Sequence, residues 1–246
     1  MTCLAFFSDH PSRWYDPLVA ALTAHDLNLH LHPVEAGGEI EAALAGLRPL
    51  GFSGALVEST AQQARIPALV GRREPEVEAS GRADALRVQW GSLTAGFLFP
   101  EAARRAMEQA GFAGARILWM GPAVPDLASV VRGMRTVHAY ASTPTAGEGL
   151  LAQLPAPQRG RVVLGPQQAE ALGAEVDVVV YAGGPLPMSV LQPYHGFFAF
   201  AEPPLQDAYL AVEQVVSPDY FRQVYLSRLL AWAADVDLPP DAFALG

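Results

Sequence analysis

The chain has 246 residues, 51% apolar and 17% charged, enough for one large core or two small ones and too apolar for a disordered or fibrous chain. Its 16 basic residues are outnumbered by 25 acidic ones for a net charge of −9, which argues against a nucleic-acid or anionic-membrane surface. All 16 basic residues are arginine, and the lack of lysine excludes a Walker-type phosphate lysine, a Schiff base and lysine acid–base chemistry.

The apolar run Thr2–Phe7 predicts a buried strand, with Cys3, the single cysteine, as an inert core thiol. One cysteine allows neither a disulfide framework nor a thiolate metal cluster. Pro17–His25 has helical apolar spacing, with Asp16 as N-cap and Pro17 at the first helical position. Leu27–Pro33 reads as a strand. Within it His30 and His32 face one side, as solvent-facing or capping groups rather than as a metal pair, since no third ligand follows at a recognisable spacing. The Gly37–Gly38 turn leads to a helix over Glu39–Arg48, and Ser53–Val57 reads as a third strand.

Residues 71–90 are more charged and less regular, with a strand over Arg82–Gln89 before a turn at Gly91. Pro100–Ala110 predicts a helix stopped by Gly111. A second alternation follows: strands Arg116–Met120, Thr136–Ala141, Arg161–Leu164, Asp177–Tyr181 and Phe197–Ala201, with helices Asp126–Met134 and Gln167–Leu172. Gly183–Pro187 reads as a structural turn, and His195 as an isolated candidate for a cleft. Ser217 caps the longest helical pattern, Ser217–Ala234. The expected class is α/β, with two domains, 1–95 and 96–246, meeting near residue 95, the C-terminal helix packing back on the first, and a ligand cleft between them. No secretory leader and no apolar stretch of ~20 residues is visible, so a soluble cytoplasmic protein is the expectation.

Several strings resemble the shikimate dehydrogenase family. They are Phe7-Ser8-Asp9-His10-Pro11 leading to Pro17, Leu50-Gly51-Phe52-Ser53-Gly54-Ala55-Leu56-Val57, Gly114-Ala115-Arg116-Ile117-Leu118-Trp119-Met120-Gly121, Asp177-Val178-Val179-Val180, and the C-terminal helix ending near Trp232. The resemblance implies an N-terminal substrate domain and a C-terminal NADP-binding Rossmann domain. It also implies where the chain departs from the family. Trp14 and Asp16 stand at the positions of two substrate-binding serines, Leu56-Val57-Glu58 replaces an Asn-Val-Thr segment, Gln62 aligns with the catalytic lysine, and Phe99 with its aspartate partner. An amide and a phenyl ring cannot serve as acid or base near neutral pH.

The cofactor loop becomes Gly121-Pro122-Ala123-Val124-Pro125-Asp126, which keeps one glycine, loses two N–H donors to proline and sets an acid at the helix start where a phosphate would lie. The arginine that reads the NADP 2′-phosphate in the family aligns near Ser142. No cofactor is therefore expected, and no metal. Asp9, His10, Arg13, Tyr15, Asp16, Glu58, Ser59, Thr60 and Gln62 are the candidate small-ligand residues, with Glu58 and His10 as an acid–base pair and Arg13 as a carboxylate clamp. The reading is a shikimate dehydrogenase-like protein that lacks the dehydrogenase activity and binds a small polar metabolite. One alternative is a divergent NAD(P)-dependent oxidoreductase of the shikimate/quinate class, with NADP as cofactor. The other is an interaction protein that uses its surface.

Overall fold

A computed structural model describes residues 2–8, 12–35 and 39–244. The chain forms two compact units, Met1–Phe99 with Gln223–Gly246, and Pro100–Arg222. Both units are α/β, and each is built around a six-stranded sheet.

The first unit runs β1 (Thr2–Phe7), α1 (Tyr15–Ala24), β2 (Leu29–Pro33), α2 (Ile40–Leu47), β3 (Gly54–Val57), α3 (Thr60–Arg65), β4 (Arg72–Arg73), α4 (Pro75–Ser80), β5 (Ala85–Gln89) and β6 (Ser92–Gly96). The strand order is β2-β1-β3-β5-β6-β4. Helical crossovers make β1 parallel to β2 and β3, whereas β5 pairs antiparallel with β3 and β6. The β5–β6 turn is the pair Trp90–Gly91, with φ of 46° and 76°, the two positive angles that a tight hairpin demands. Phe7, Ile40, Leu44, Val57, Ile66 and Leu86 belong to the core of this unit.

Helix α5 (Phe99–Gln109) starts at the last residue of the first segment and continues into the second unit, which then runs β7 (Arg116–Met120), α6 (Leu127–Val130), β8 (Thr136–Ala141), α7 (Pro144–Ala152), β9 (Arg159–Leu164), α8 (Pro166–Gly173), β10 (Val178–Tyr181), β11 (Gly196–Ala199), α9 (Asp207–Leu210) and β12 (Gln214–Val216). The order β12-β11-β10-β7-β8-β9 is wholly parallel. The chain moves outward from β7 to β9, then returns to β10 and moves the other way. Such a reversal opens a crevice at the carboxyl ends of the strands. Every residue of β10 and β11 is buried, as strands covered on both faces require. The last helix, α10 (Pro218–Ala234), begins in this unit and ends in the first.

Several expectations are corrected in detail. Asp16 is not the cap of α1: the Ser12 hydroxyl accepts from the amides of Trp14 and Tyr15 at 3.1 and 2.9 Å, the helix starts at Tyr15, two residues earlier than expected, and Asp16 falls in its first turn. Cys3 is half-buried rather than sealed in the core. The helix expected over Asp126–Met134 shrinks to the four residues of α6. The sequence reading has no counterpart for α3, β4, α4, β6, α7, α9 and β12. The Gly37–Gly38 turn lies outside the described residues.

Candidate functional site

In the first unit the end of β3 meets the entry to α1. Glu58 is held there by two contacts: the Ser12 hydroxyl donates to Oε2 at 2.6 Å and the Arg13 amide to Oε1 at 2.7 Å. The backbone N–H of Glu58 donates to the carbonyl of Phe7 at 2.8 Å, which fixes the loop to the end of β1. Ser59 is buried and caps α3, accepting from the Gln62 amide at 3.3 Å. Thr60 and Arg13 are exposed, and Gln62 is half-buried. Tyr15 sets its ring 5.4 Å from that of Phe6. Asp9 and His10 lie outside the described residues, so the proposed Glu58–His10 pair has no geometry here. Both oxygens of Glu58 serve the loop that carries Ser12 and Arg13.

A polar centre that the sequence reading passed over lies deeper in the same unit. Asp84 is fully buried. The Leu98 amide donates to both its oxygens at 2.8 Å, the Phe99 amide to Oδ2 at 2.9 Å, and the Tyr225 hydroxyl to Oδ2 at 2.6 Å. Its carboxylate thus caps the start of α5 from the neighbouring strand connection. Burial pushes the Asp84 carboxyl up to about 7, and the Tyr225, Leu98 and Phe99 donors restrain the rise. Burial and the neighbouring Asp84 push the Tyr225 hydroxyl well above its ordinary range. Aromatic rings enclose the pair: Trp14 and Phe99 meet Tyr225 edge-on at 5.1 and 5.8 Å, and Phe97 stacks on Phe99 at 6.2 Å. Phe99 is thus a member of an aromatic cluster with Phe97 and Tyr225. The only signal for Asp84 in the sequence is a lone acid inside Ala83-Asp84-Ala85-Leu86, and Tyr225 hides in an apolar helix stripe.

The second unit holds a cavity of about 640 Å³ over the β7–β10 reversal. Gly121, Pro122 and Ala123 follow β7 into it, Tyr140 to Ser142 close the end of β8, α7 supplies Ala146, Gly147, Gly149 and Leu150, and Gly183 to Pro185 follow β10. Gly121 has φ of 107°, and a Cβ there would lie 2.5 Å from the carbonyl oxygen of Gly183, so only glycine fits. The Trp119 indole donates to the Pro122 carbonyl at 3.0 Å and pins the loop. Val124 follows in the same connection. Asp126 takes a left-handed conformation and accepts from the Ser129 amide, occupying the start of α6 with a carboxylate.

His30 and His32 both point outward from β2, and His32 lies 5.9 Å from the ring of Phe52. Among the described residues no group of three or more His, Cys, Asp or Glu is placed to hold a metal ion. His195 is buried at the amino end of β11, away from the ligand edge of the sheet. Its Nδ1 accepts from the Gln192 amide at 3.2 Å, which leaves Nε2 to donate to the Gly173 carbonyl at 2.9 Å. Burial holds its pKa below the usual histidine value. Among the described residues no helix is long and apolar enough to cross a membrane.

No protein-family model matches the sequence, and no curated protein does. Solved structures match throughout. A shikimate 5-dehydrogenase from Listeria monocytogenes, in complex with shikimate and NAD, is 15% identical with a TM-score of 0.79, over 99% of this chain and 95% of that one. A ligand-free 5-ketofructose reductase of Gluconobacter is 10% identical with a TM-score of 0.80, over 98% and 96%. An Ael1 enzyme from Pseudomonas putida is 19% identical with a TM-score of 0.76, over 98% and 96%. The chain has the two-domain fold of the shikimate dehydrogenases, at identities that speak for fold alone.

Proposed function

We propose that this protein keeps the shikimate dehydrogenase architecture without NADP-dependent oxidation of shikimate, and binds a small polar metabolite through the loops around Arg13, Glu58 and Thr60. The observation that carries this reading is the packing of Phe99 edge-on against Tyr225 beside the buried Asp84. The resemblance aligns Phe99 with a catalytic aspartate, and a ring locked in an aromatic cluster has no proton to move. The resemblance aligns the lysine partner with Gln62, and the chain contains no lysine. The purified protein with shikimate or quinate and NADP or NAD tests the reading by nicotinamide absorbance. No turnover above the protein-free rate is expected, and sustained cofactor reduction overturns it.

A second reading, a divergent NAD(P)-dependent oxidoreductase, draws on one specific feature, the cavity at the β7–β10 reversal. Under it NADP or NAD occupies that cavity. Protein-dependent reduction of either nucleotide with another hydroxy acid would favour it.

A further inference from the structure

We infer that the cavity over the β7–β10 reversal takes an uncharged, predominantly apolar ring compound instead of a dinucleotide. Its volume, about 640 Å³, suits a molecule of drug size. Among the residues that line it none carries a charge, and Pro122, Ala141, Leu150 and Pro185 offer apolar surface. Tyr140, Ser142 and Gln153 supply the polar side chains, enough to orient a ligand with a few hydrogen-bonding groups.

The loop after β7 explains why an anion fits poorly. A diphosphate needs several free N–H groups and a positive helix end. Pro122 and Pro125 carry no N–H, and α6 has only four residues. Asp126 places its own carboxylate at the start of that helix, where Oδ1 accepts from the Ser129 amide. Its Oδ2 is buried without a hydrogen-bond partner, so this corner already holds more negative charge than its donors satisfy. A phosphate beside it would meet a like charge, and no lining residue offers it a cation. An uncharged ligand meets neither obstacle.

This inference concerns the second unit and stands apart from the loss of activity proposed above. The test is a fluorescence titration of the full chain with two probes that share one ring frame, neutral phenylnaphthylamine and anionic anilinonaphthalene sulfonate, with NADP as competitor. The neutral probe is expected to bind at least about tenfold more tightly than the sulfonate, and NADP to leave it in place. Gly149 on α7 lines the cavity and a Cβ there meets nothing within 4 Å, so Gly149→Phe can place its ring in that space. It should weaken the neutral probe by about tenfold, with Ala146→Trp as a second filling variant and the melting midpoint of each as the check on folding. Equal or tighter binding of the sulfonate, displacement by NADP, no binding of the neutral probe, or unchanged binding in both folded variants overturns the inference. Displacement by NADP without turnover would sink this inference alone; turnover would sink the loss of activity.

Discussion

The hydroxyl of Tyr225, on the last helix, donates to Oδ2 of Asp84 at 2.6 Å, joining residues 141 positions apart in a fully buried contact. The same oxygen takes the Phe99 amide, so one carboxylate ties the β5 approach, the start of α5 and the C-terminal helix together. A buried acid this connected is costly to disturb, because each lost donor leaves a polar atom without solvent to replace it.

Tyr225→Phe removes one donor and keeps the ring that Trp14 and Phe99 pack against. A loss of about 1–3 kcal/mol is expected in urea unfolding, within the range for an unsatisfied buried acceptor. It should also raise the Asp84 carboxyl further, since the Tyr225 hydrogen bond lowers it. A variant as stable as the parent would show that the contact contributes nothing net.

The raised Asp84 carboxyl has a signed effect on stability. Its folded value, about 7, lies above the ordinary 3.8, so between these limits the folded state holds a proton that the unfolded state has released. The resulting stabilisation is complete below pH ~4 and is lost as pH rises through ~7, by an upper bound of about 4 kcal/mol. His138 and His195 act in the opposite direction, because burial lowers both and the unfolded state then binds protons more readily as pH falls. The Asp84 contribution is therefore read as the difference between the parent and Asp84→Asn. The parent should lose stability relative to the variant from pH 4 to pH 7, and parallel stability curves would contradict the assignment.

What the sequence revealed follows from where its signals are strong. β1 and β7 are dominated by buried apolar residues, and β8 is buried at its centre, so their bounds are readable from the sequence. Arg72–Arg73 pairs only through backbone at the sheet edge, so its charged side chains conceal it. α7 contains Gly147 and Gly149, which weaken a helical pattern that packing then supplies. The hydrogen-bonded centre was least visible: Asp84 gains its importance from donors at positions 98, 99 and 225, which no local spacing links. The departures that the resemblance implies at Gln62, Phe99 and Pro122 to Val124 have no signal in local spacing.

Glu58 holds the entry to α1 by accepting from Ser12 and Arg13. Glu58→Ala should free that segment, speed tryptic cleavage after Arg13 and cost about 1.5 kcal/mol, the low end for charged hydrogen bonds because the site is partly exposed. Glu58→Gln retains one acceptor and should fall between the two. Cleavage at the parental rate in both variants would mean that the loop is held by other contacts.

Two glycines on the same cavity should respond in opposite directions. At Gly121 a Cβ would lie 2.5 Å from one backbone atom of Gly183 and 2.8 Å from another, at a φ that other residues rarely adopt. Gly121→Ala should cost about 3 kcal/mol or more, through overpacking and backbone strain together. At Gly149, inside α7, a Cβ has open space, and alanine loses less backbone freedom on folding. Gly149→Ala should gain about 0.5–1 kcal/mol. Thermal melting of the two variants separates the effects, since both add the same single methyl group to residues that line the same cavity. A neutral Gly121→Ala would mean that the β7 and β10 loops do not approach as closely as this packing requires.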